Sequence, residues 1–191
     1  MSAEEEALRC LLEILHHWQI PYMLTGSFAS SYHGRPRATH DADVVIDPAP
    51  NQFDALLAEL EAKGFYVNDR GARAAFEERR QFNAIEIASA CKVDLILRKD
   101  RSYSREEFAR RQYVDLAFGH PVAVVAPEDA ILSKLEWAQR SGDSQRQLRD
   151  AAGVLDVNPQ VDRAYIERWA RELGVLELWT TISRRRDQKP E

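Results

Sequence analysis

Leu24-Thr25-Gly26-Ser27 precedes Asp41-Ala42-Asp43-Val44 by thirteen residues, and these two segments decide the fold. The apolar residues before Gly26 predict a short strand. Gly26 ends this strand because glycine permits a sharp turn. Ser27 is suited to be the N-cap of a short helix at Phe28 to Tyr32. The first segment therefore predicts a strand, a turn and a helix.

The second segment opens an apolar strand with two acidic residues. Asp41 and Asp43 are two positions apart on a strand, so both carboxylates project from the same face. Two like charges repel, and a divalent cation with oxygen ligands would compensate them. An Asp-x-Asp pair is also common at the surface end of a strand, so this motif alone does not identify a metal site.

The glycine-serine turn adds a second chemical feature. A glycine between a strand and a helix lets a ligand approach the backbone closely, and the free amides of the helix start bind anions. Together with the Ser27 hydroxyl, Gly26 would form a site suited to phosphates. The same two residues also suit a plain turn with a helix cap.

Asp94 is a third acidic candidate, because it interrupts an apolar strand and buried aspartates are rare unless they are paired or metal-bound. The extended runs Phe82 to Ala88 and Cys91 to Leu97 predict a hairpin. If this hairpin places Asp94 beside the first two aspartates, three carboxylates converge, which is enough to hold two magnesium ions. Glu86 on the preceding strand is the competing candidate, and spacing alone does not choose between them.

The order of elements predicts an α+β fold with a small mixed β-sheet, flanking helices and a C-terminal helical module. We expect the core at residues 1–126, the helical module packed on it at residues 127–185, and a disordered tail at residues 186–191. The helices predicted after Pro127 are Glu128 to Gln139, Ser144 to Leu155, Asp162 to Leu173 and Val175 to Arg184.

Composition narrows the class of protein. The net charge of −5 argues against a protein that coats nucleic acid non-specifically, since such binding requires an excess of Lys and Arg. No apolar run approaches the ~20 residues of a membrane span, so we expect no membrane association. The acidic start, Met1 to Glu6, differs from a secretory signal and predicts a cytoplasmic protein.

The combination of the two segments resembles a known signature. A glycine-serine turn followed by Asp-x-Asp is similar to the DNA polymerase beta-like nucleotidyltransferase superfamily. The stretches Gly34 to Asp41 and Pro127 to Lys134 resemble the AbiEii-type branch, which includes toxins of bacterial toxin–antitoxin systems. The resemblance extends over roughly residues 5–155.

This resemblance implies roles for individual residues. It makes Gly26 and Ser27 the triphosphate-binding turn, and Asp41 and Asp43 the ligands of two Mg²⁺ ions. It gives Asp94 the place of the third carboxylate, which helps to activate the attacking hydroxyl. The substrate implied is a nucleoside triphosphate.

In the helical half, Lys134 and Asp150 resemble the lysine and aspartate that face the nucleotide, and Lys134 would hold the leaving pyrophosphate. A lysine lying over the core at the surface is an equally common arrangement. Arg37 and Thr39 precede the strand of the carboxylates and are candidates for contact with the triphosphate.

We therefore expect a metal-dependent enzyme that transfers a nucleoside monophosphate to an unknown acceptor, which is RNA such as tRNA, a protein or a small molecule. A toxin-like role would add an antitoxin partner. The alternative is a catalytically silent nucleotide-binding or regulatory module of the same fold. A phosphohydrolase is a weaker alternative, because the glycine-serine turn suits a triphosphate handed to an acceptor.

Overall fold

The computed structural model describes residues 3–35, 42–116, 118–140 and 144–187. The strands formed by these residues are β1 (Tyr22–Thr25), β2 (Ala42–Ile46), β3 (Phe65–Val67), β4 (Gln81–Glu86), β5 (Lys92–Leu97), β6 (Gln112–Val114) and β7 (Val122–Val124). The helices are α1 (Ala3–His17), α2 (Gly26–His33), α3 (Pro50–Ala62), α4 (Asp69–Glu77), α5 (Ser102–Ala109), α6 (Pro127–Arg140), α7 (Ser144–Val157), α8 (Arg163–Glu172) and α9 (Leu176–Asp187). The predicted α+β class is confirmed.

The strands of the described residues form one mixed sheet in the order β3-β4-β5-β2-β1-β7-β6. The central strand β2 is antiparallel to β1 and parallel to β5. On the far side, β1 is parallel to β7, which is antiparallel to β6. The predicted hairpin is present, because β4 and β5 are antiparallel neighbours.

Backbone contacts divide the chain into two compact units. The sheet unit contains the described residues 3–25 and 42–124, and the helical unit contains the described residues 26–35 and 125–187. The helix α2 therefore belongs to the helical unit although it lies between β1 and β2 in the chain, whereas the sequence predicted a single division after residue 126.

The core of the sheet unit lies on one face of its strands. Alternate residues of β5, Val93, Leu95 and Leu97, are buried, as the period of two in a strand requires. The helices α1, α3 and α4 pack against β5, β3 and β4 respectively. Each fully buried apolar side chain stabilises the fold by about 1.5–3 kcal/mol relative to exposure. The opposite face of β2 and β5 carries Asp43, Lys92 and Asp94 together with Val45 and Ile96.

The helical unit is built around α6 and α7, which pack against each other and against α2. Ala130, Ile131 and Leu135 of α6 are buried, at the spacing of a helix with one apolar face. The helix α8 begins after Asp162, whose carboxylate accepts a hydrogen bond of 3.0 Å from the backbone NH of Tyr165. The structure confirms the positions predicted for the four helices after Pro127.

Three local features differ from the sequence analysis. The sequence pattern predicts no element at residues 68–80, yet α4 forms there. The Asn68 side chain caps this helix by accepting a hydrogen bond from the NH of Gly71. The edge strand β6 was also not predicted. The helix α2 begins at Gly26, so Ser27 lies inside its first turn instead of capping it.

Two further predictions concern the C-terminal tail and membrane association. The helix α9 includes residues 186 and 187 of the predicted disordered tail, and residues 188–191 lie outside the described part. Within the described residues, no helix is both long enough and apolar enough to cross a membrane.

Candidate active site

Two of the predicted acidic residues are neighbours across the sheet. The parallel pairing of β2 and β5 places Asp43 opposite Asp94 in register. Side chains at paired positions of adjacent strands project from the same face. The hairpin therefore brings Asp94 beside the strand that begins with the Asp-x-Asp motif. The pairing brings together two of the three predicted carboxylates, and the convergence of all three stays a prediction.

Asp94 is held by donors on both of its oxygens. The Asn83 amide donates to Oδ1 at 2.7 Å, and the Lys92 ammonium donates to Oδ2 at 3.0 Å. The residue is only 9% exposed. These bonds compensate the cost of burying a carboxylate.

Glu86, the competing third acid, serves a different purpose. Its carboxylate accepts hydrogen bonds from the hydroxyl and NH of Ser89 and from the NH of Ala88. The hydrogen bond from the Ser89 hydroxyl is the main cause that lowers the pKa of Glu86 below its ordinary value. Glu86 thus stabilises the turn of the hairpin, and the structure places Asp94, not Glu86, opposite Asp43.

The donor set on this face suits a hard cation. Asp43 and Asp94 supply carboxylate oxygens, the ligands that Mg²⁺ prefers. Within the described residues, no group of three or more acidic, histidine or cysteine side chains is placed to hold a metal ion. The third predicted ligand, Asp41, lies outside the described residues, as do Arg37 and Thr39. The chemistry of Asp43 and Asp94 is therefore compatible with magnesium, and the predicted set of three ligands stays a prediction.

The predicted phosphate-binding turn opens the helical unit. Gly26 has a φ of 62°, a left-handed conformation that glycine adopts without strain. Ser27, the second residue of α2, is 7% exposed. The backbone conformation explains why glycine stands at this turn. The contact of these residues with a triphosphate stays a prediction.

Lys134 and Asp150 form an ion pair with each other inside the helical unit. Lys134 Nζ lies 3.0 Å from Asp150 Oδ2, and the two side chains are 6% and 11% exposed. The alternative of a surface lysine is therefore wrong. Their predicted contact with the nucleotide stays a prediction, because the structure shows the two residues bound to one another.

Sequence reasoning missed Asn83 and Lys92. Both face the same side of the sheet as Asp94, since Asn83 is its cross-strand partner and Lys92 is two residues away on β5. The signal was present in β4, where buried Phe82 and Ala84 alternate with exposed polar residues. A polar residue at the position opposite a buried aspartate is the feature that would have identified Asn83.

Comparison with known proteins supports the fold. No protein-family model matches the sequence, and no curated protein sequence matches it significantly. Among solved structures, ANT(2″)-Ia in complex with adenylyl-2″-tobramycin is similar, with a TM-score of 0.61 and 15% identity over 91% of this chain and 98% of that one.

Two further structures are similar. The lincosamide antibiotic adenylyltransferase LnuA, solved with lincomycin bound, has a TM-score of 0.52 and 10% identity over 81% of this chain and 98% of that one. An antigenic nucleotidyltransferase-like protein from Paracoccidioides brasiliensis has a TM-score of 0.55 and 16% identity over 94% of this chain and 92% of that one. The chain thus has the fold of nucleotidyltransferases, which confirms the fold that the sequence resemblance implied.

Proposed function

We propose that this chain transfers a nucleoside monophosphate from a nucleoside triphosphate to a hydroxyl acceptor. The proposal rests on its nucleotidyltransferase fold and on the pairing of Asp43 with Asp94 across the sheet. The observation that supports it most is the register between β2 and β5, which pairs these two aspartates. Two carboxylates at paired positions repel each other, and a divalent cation bound between them would offset that repulsion.

Asp41, Asp43 and Asp94 are the residues that would hold two Mg²⁺ ions. When bound there, magnesium would neutralise negative charge on the phosphates during the transfer. The oxygen-only donor set is the chemical reason for proposing magnesium instead of a softer metal.

The reaction is a single displacement at phosphorus. The oxygen of the acceptor hydroxyl forms a bond to the α-phosphorus, and the bond from that phosphorus to the oxygen of the β-phosphate breaks. Pyrophosphate leaves with the electron pair of that bond. The carboxylate of Asp94 accepts the hydroxyl proton, a role that requires it to be held in one orientation. Asn83 provides that orientation through its bond to Oδ1.

Residues of the helical unit keep the roles that the resemblance gives them, as part of the proposal. Gly26 and Ser27 would bind the triphosphate through the amides at the start of α2. Lys134 would supply positive charge near the phosphates, with Asp150 as the partner that holds it.

For the acceptor we propose a small molecule that carries a hydroxyl group. Two of the similar structures, by their descriptions, hold adenylyl-tobramycin or are an adenylyltransferase with lincomycin bound. The net charge of −5 is also unfavourable for a polyanionic acceptor such as tRNA. Transfer to RNA or to a protein would correct this part of the proposal without affecting the reaction type.

A toxin-like role, an antitoxin partner and a cytoplasmic location rest on the sequence alone. Expression of the wild type and of Asp43→Asn in the same bacterial host tests the first of these. A toxin that acts by nucleotidyl transfer slows growth only when Asp43 is present. Equal growth of the two cultures would remove the toxin-like role.

The experiment that tests the activity uses α-labelled forms of the four common nucleoside triphosphates with magnesium. Each is incubated with the protein and a cell extract, and label is followed into metabolites, RNA and protein. We expect label in the metabolite fraction, and Asp43→Asn should reduce it by several orders of magnitude with an unchanged circular dichroism spectrum. Nucleotide binding without transfer of label would favour the alternative, a catalytically silent module.

A further inference from the structure

We propose that Asn83 and Lys92 control the cation affinity of Asp94 in opposite directions. Asn83 is a positioning residue that strengthens cation binding, and Lys92 is an internal cation that competes for the same carboxylate. The inference rests on the proposed function, because it concerns the site that would hold magnesium. It assigns a role to the two residues that contact Asp94 and that no sequence motif identified.

Asn83 fixes the carboxylate without adding charge. It is the cross-strand partner of Asp94, so both side chains project from one face, and its amide lies 2.7 Å from Oδ1. A neutral donor on one oxygen sets the rotation of the carboxylate and leaves its charge for a cation. Partners of this kind behind a metal ligand typically contribute 10- to 100-fold to metal affinity.

Lys92 acts on the other oxygen and brings a full positive charge. Its ammonium lies 3.0 Å from Oδ2, where it neutralises the carboxylate in the absence of a metal ion. A divalent cation at the same oxygen would be repelled by this ammonium. The Lys92 side chain is 37% exposed, and its flexible stem lets the ammonium move into water when a cation binds.

The charges on this face give the direction of each effect. Among the described residues that the strand pairing brings together here, Asp43 and Asp94 are acidic, Lys92 is basic and Asn83 is neutral. Removing Lys92 therefore makes this part of the face more negative and more attractive to a cation. Removing Asn83 leaves the charge unchanged and loosens Asp94.

The test measures the affinity of the full chain for Mn²⁺ alone, by electron paramagnetic resonance of the free ion and by calorimetry. We expect Asn83→Ala to weaken Mn²⁺ binding by about 10- to 100-fold. Lys92→Met should tighten it by about twofold to fivefold, the effect of one exposed charge. Gln81→Ala is the matched control, because Gln81 is exposed two residues from Asn83 on the same strand, and it should not change the affinity.

Asn83→Val, which favours a strand and has no hydrogen-bond donor, replaces Asn83→Ala if that variant fails to fold. Shifts of Asn83→Ala and Lys92→Met in the same direction, or no shift in either, would overturn the inference. The variant Asp43→Asn distinguishes failure of this inference from failure of the proposed function. If Asp43→Asn leaves Mn²⁺ affinity unchanged, the metal site itself is wrong. If Asp43→Asn abolishes binding and Asn83→Ala does not weaken it, only the positioning role is wrong.

Discussion

Two lysine–aspartate pairs in this chain have the same separation of 3.0 Å between nitrogen and oxygen but lie in different surroundings. In the helical unit, the side chains of Lys134 and Asp150 are 6% and 11% exposed. On the sheet, the Lys92 side chain is 37% exposed while that of Asp94 is 12% exposed. The distance is therefore equal, and the access of water to the lysine differs.

This difference separates a structural pair from an adjustable one. Neither member of a buried pair can leave without stranding the charge of the other, which is strongly unfavourable. A lysine that reaches water keeps its own charge hydrated when it leaves, and Asp94 would still accept the hydrogen bond from Asn83. We infer that the buried Lys134–Asp150 pair stabilises the helical unit, whereas the more exposed Lys92 yields Asp94 to a cation.

The largest expected effect tests this inference directly. Lys134→Met should lower the free energy of unfolding by about 3–5 kcal/mol, because it removes one partner of a buried ion pair. Lys92→Met should lower it by clearly less, because Asp94 keeps the hydrogen bond from Asn83. Urea denaturation followed by tryptophan fluorescence measures both, and Trp169 and Trp179 are buried reporters within the helical unit.

The double variant Lys134→Met with Asp150→Leu is the control for this prediction. Replacing both charges with apolar groups of similar size should recover most of the loss, since no unpaired charge remains. Equal, small effects of the two lysine variants would show that the two pairs do not differ in energy, and the comparison would fail.

A second prediction concerns the backbone packing around α7, the helix that carries Asp150. A Cβ on Gly34 would lie 2.7 Å from Ser30 O and 2.9 Å from Val154 N, both backbone atoms. Gly34→Ala should therefore cost about 1–3 kcal/mol of stability, as overpacking does in other tight contacts. Thermal unfolding measures the change.

Gly153→Ala is the matched control on the same helix. A Cβ on Gly153 would have Arg35 N as its nearest neighbour, at an ordinary contact distance of 3.8 Å. Alanine inside a helix is more favourable than glycine by about 0.5–1 kcal/mol, so this variant should melt at a higher temperature. A lower melting temperature for Gly153→Ala than for Gly34→Ala would contradict the close approach of α2 and α7.

Much of the fold was predictable because its signals are local. Helices α6 to α9 have one apolar face each, and the hairpin of β4 and β5 has alternating residues and a short turn, so periodicity located them. The helix α4 was not predicted because its sequence is rich in charged residues and contains Gly71. Its N-cap is a hydrogen bond that the Asn68 side chain accepts from the NH of Gly71. Helix propensity alone is too weak to detect such a segment.

The sequence predicted the acidic residues of the candidate site, but it did not predict the residues that pair with them. Asp43 and Asp94 are visible because acidic residues are unusual in apolar strands. Their register depends on the pairing of β2 with β5, a contact between segments about 50 residues apart that no local pattern encodes. The ion pair of Lys134 with Asp150 likewise depends on how α6 and α7 pack.

The smallest expected effect concerns Asp43 in the absence of metal. Asp43 and Asp94 are like charges at paired positions, and Asp43→Asn removes that repulsion. The variant should therefore unfold at the same free energy as the wild type or slightly higher, within about 1 kcal/mol. If Asp43 instead satisfied buried donors as a structural residue, the loss would be about 1–3 kcal/mol. Thermal unfolding in a metal chelator separates these values.

Adding ligand to the same two proteins should reverse their order. Magnesium with a nucleoside triphosphate, at ~100 times the dissociation constant, stabilises a protein that binds it by about 2.7 kcal/mol. The wild type should gain this stability, and Asp43→Asn should gain little because one carboxylate ligand is missing. Two results together would show that Asp43 has a structural role. The melting temperature of the wild type would not change with magnesium and any of the four triphosphates, and Asp43→Asn would melt at a lower temperature than the wild type without ligand. Asp43 in the sheet unit would then contribute to stability alone, as the Lys134–Asp150 pair does in the helical unit.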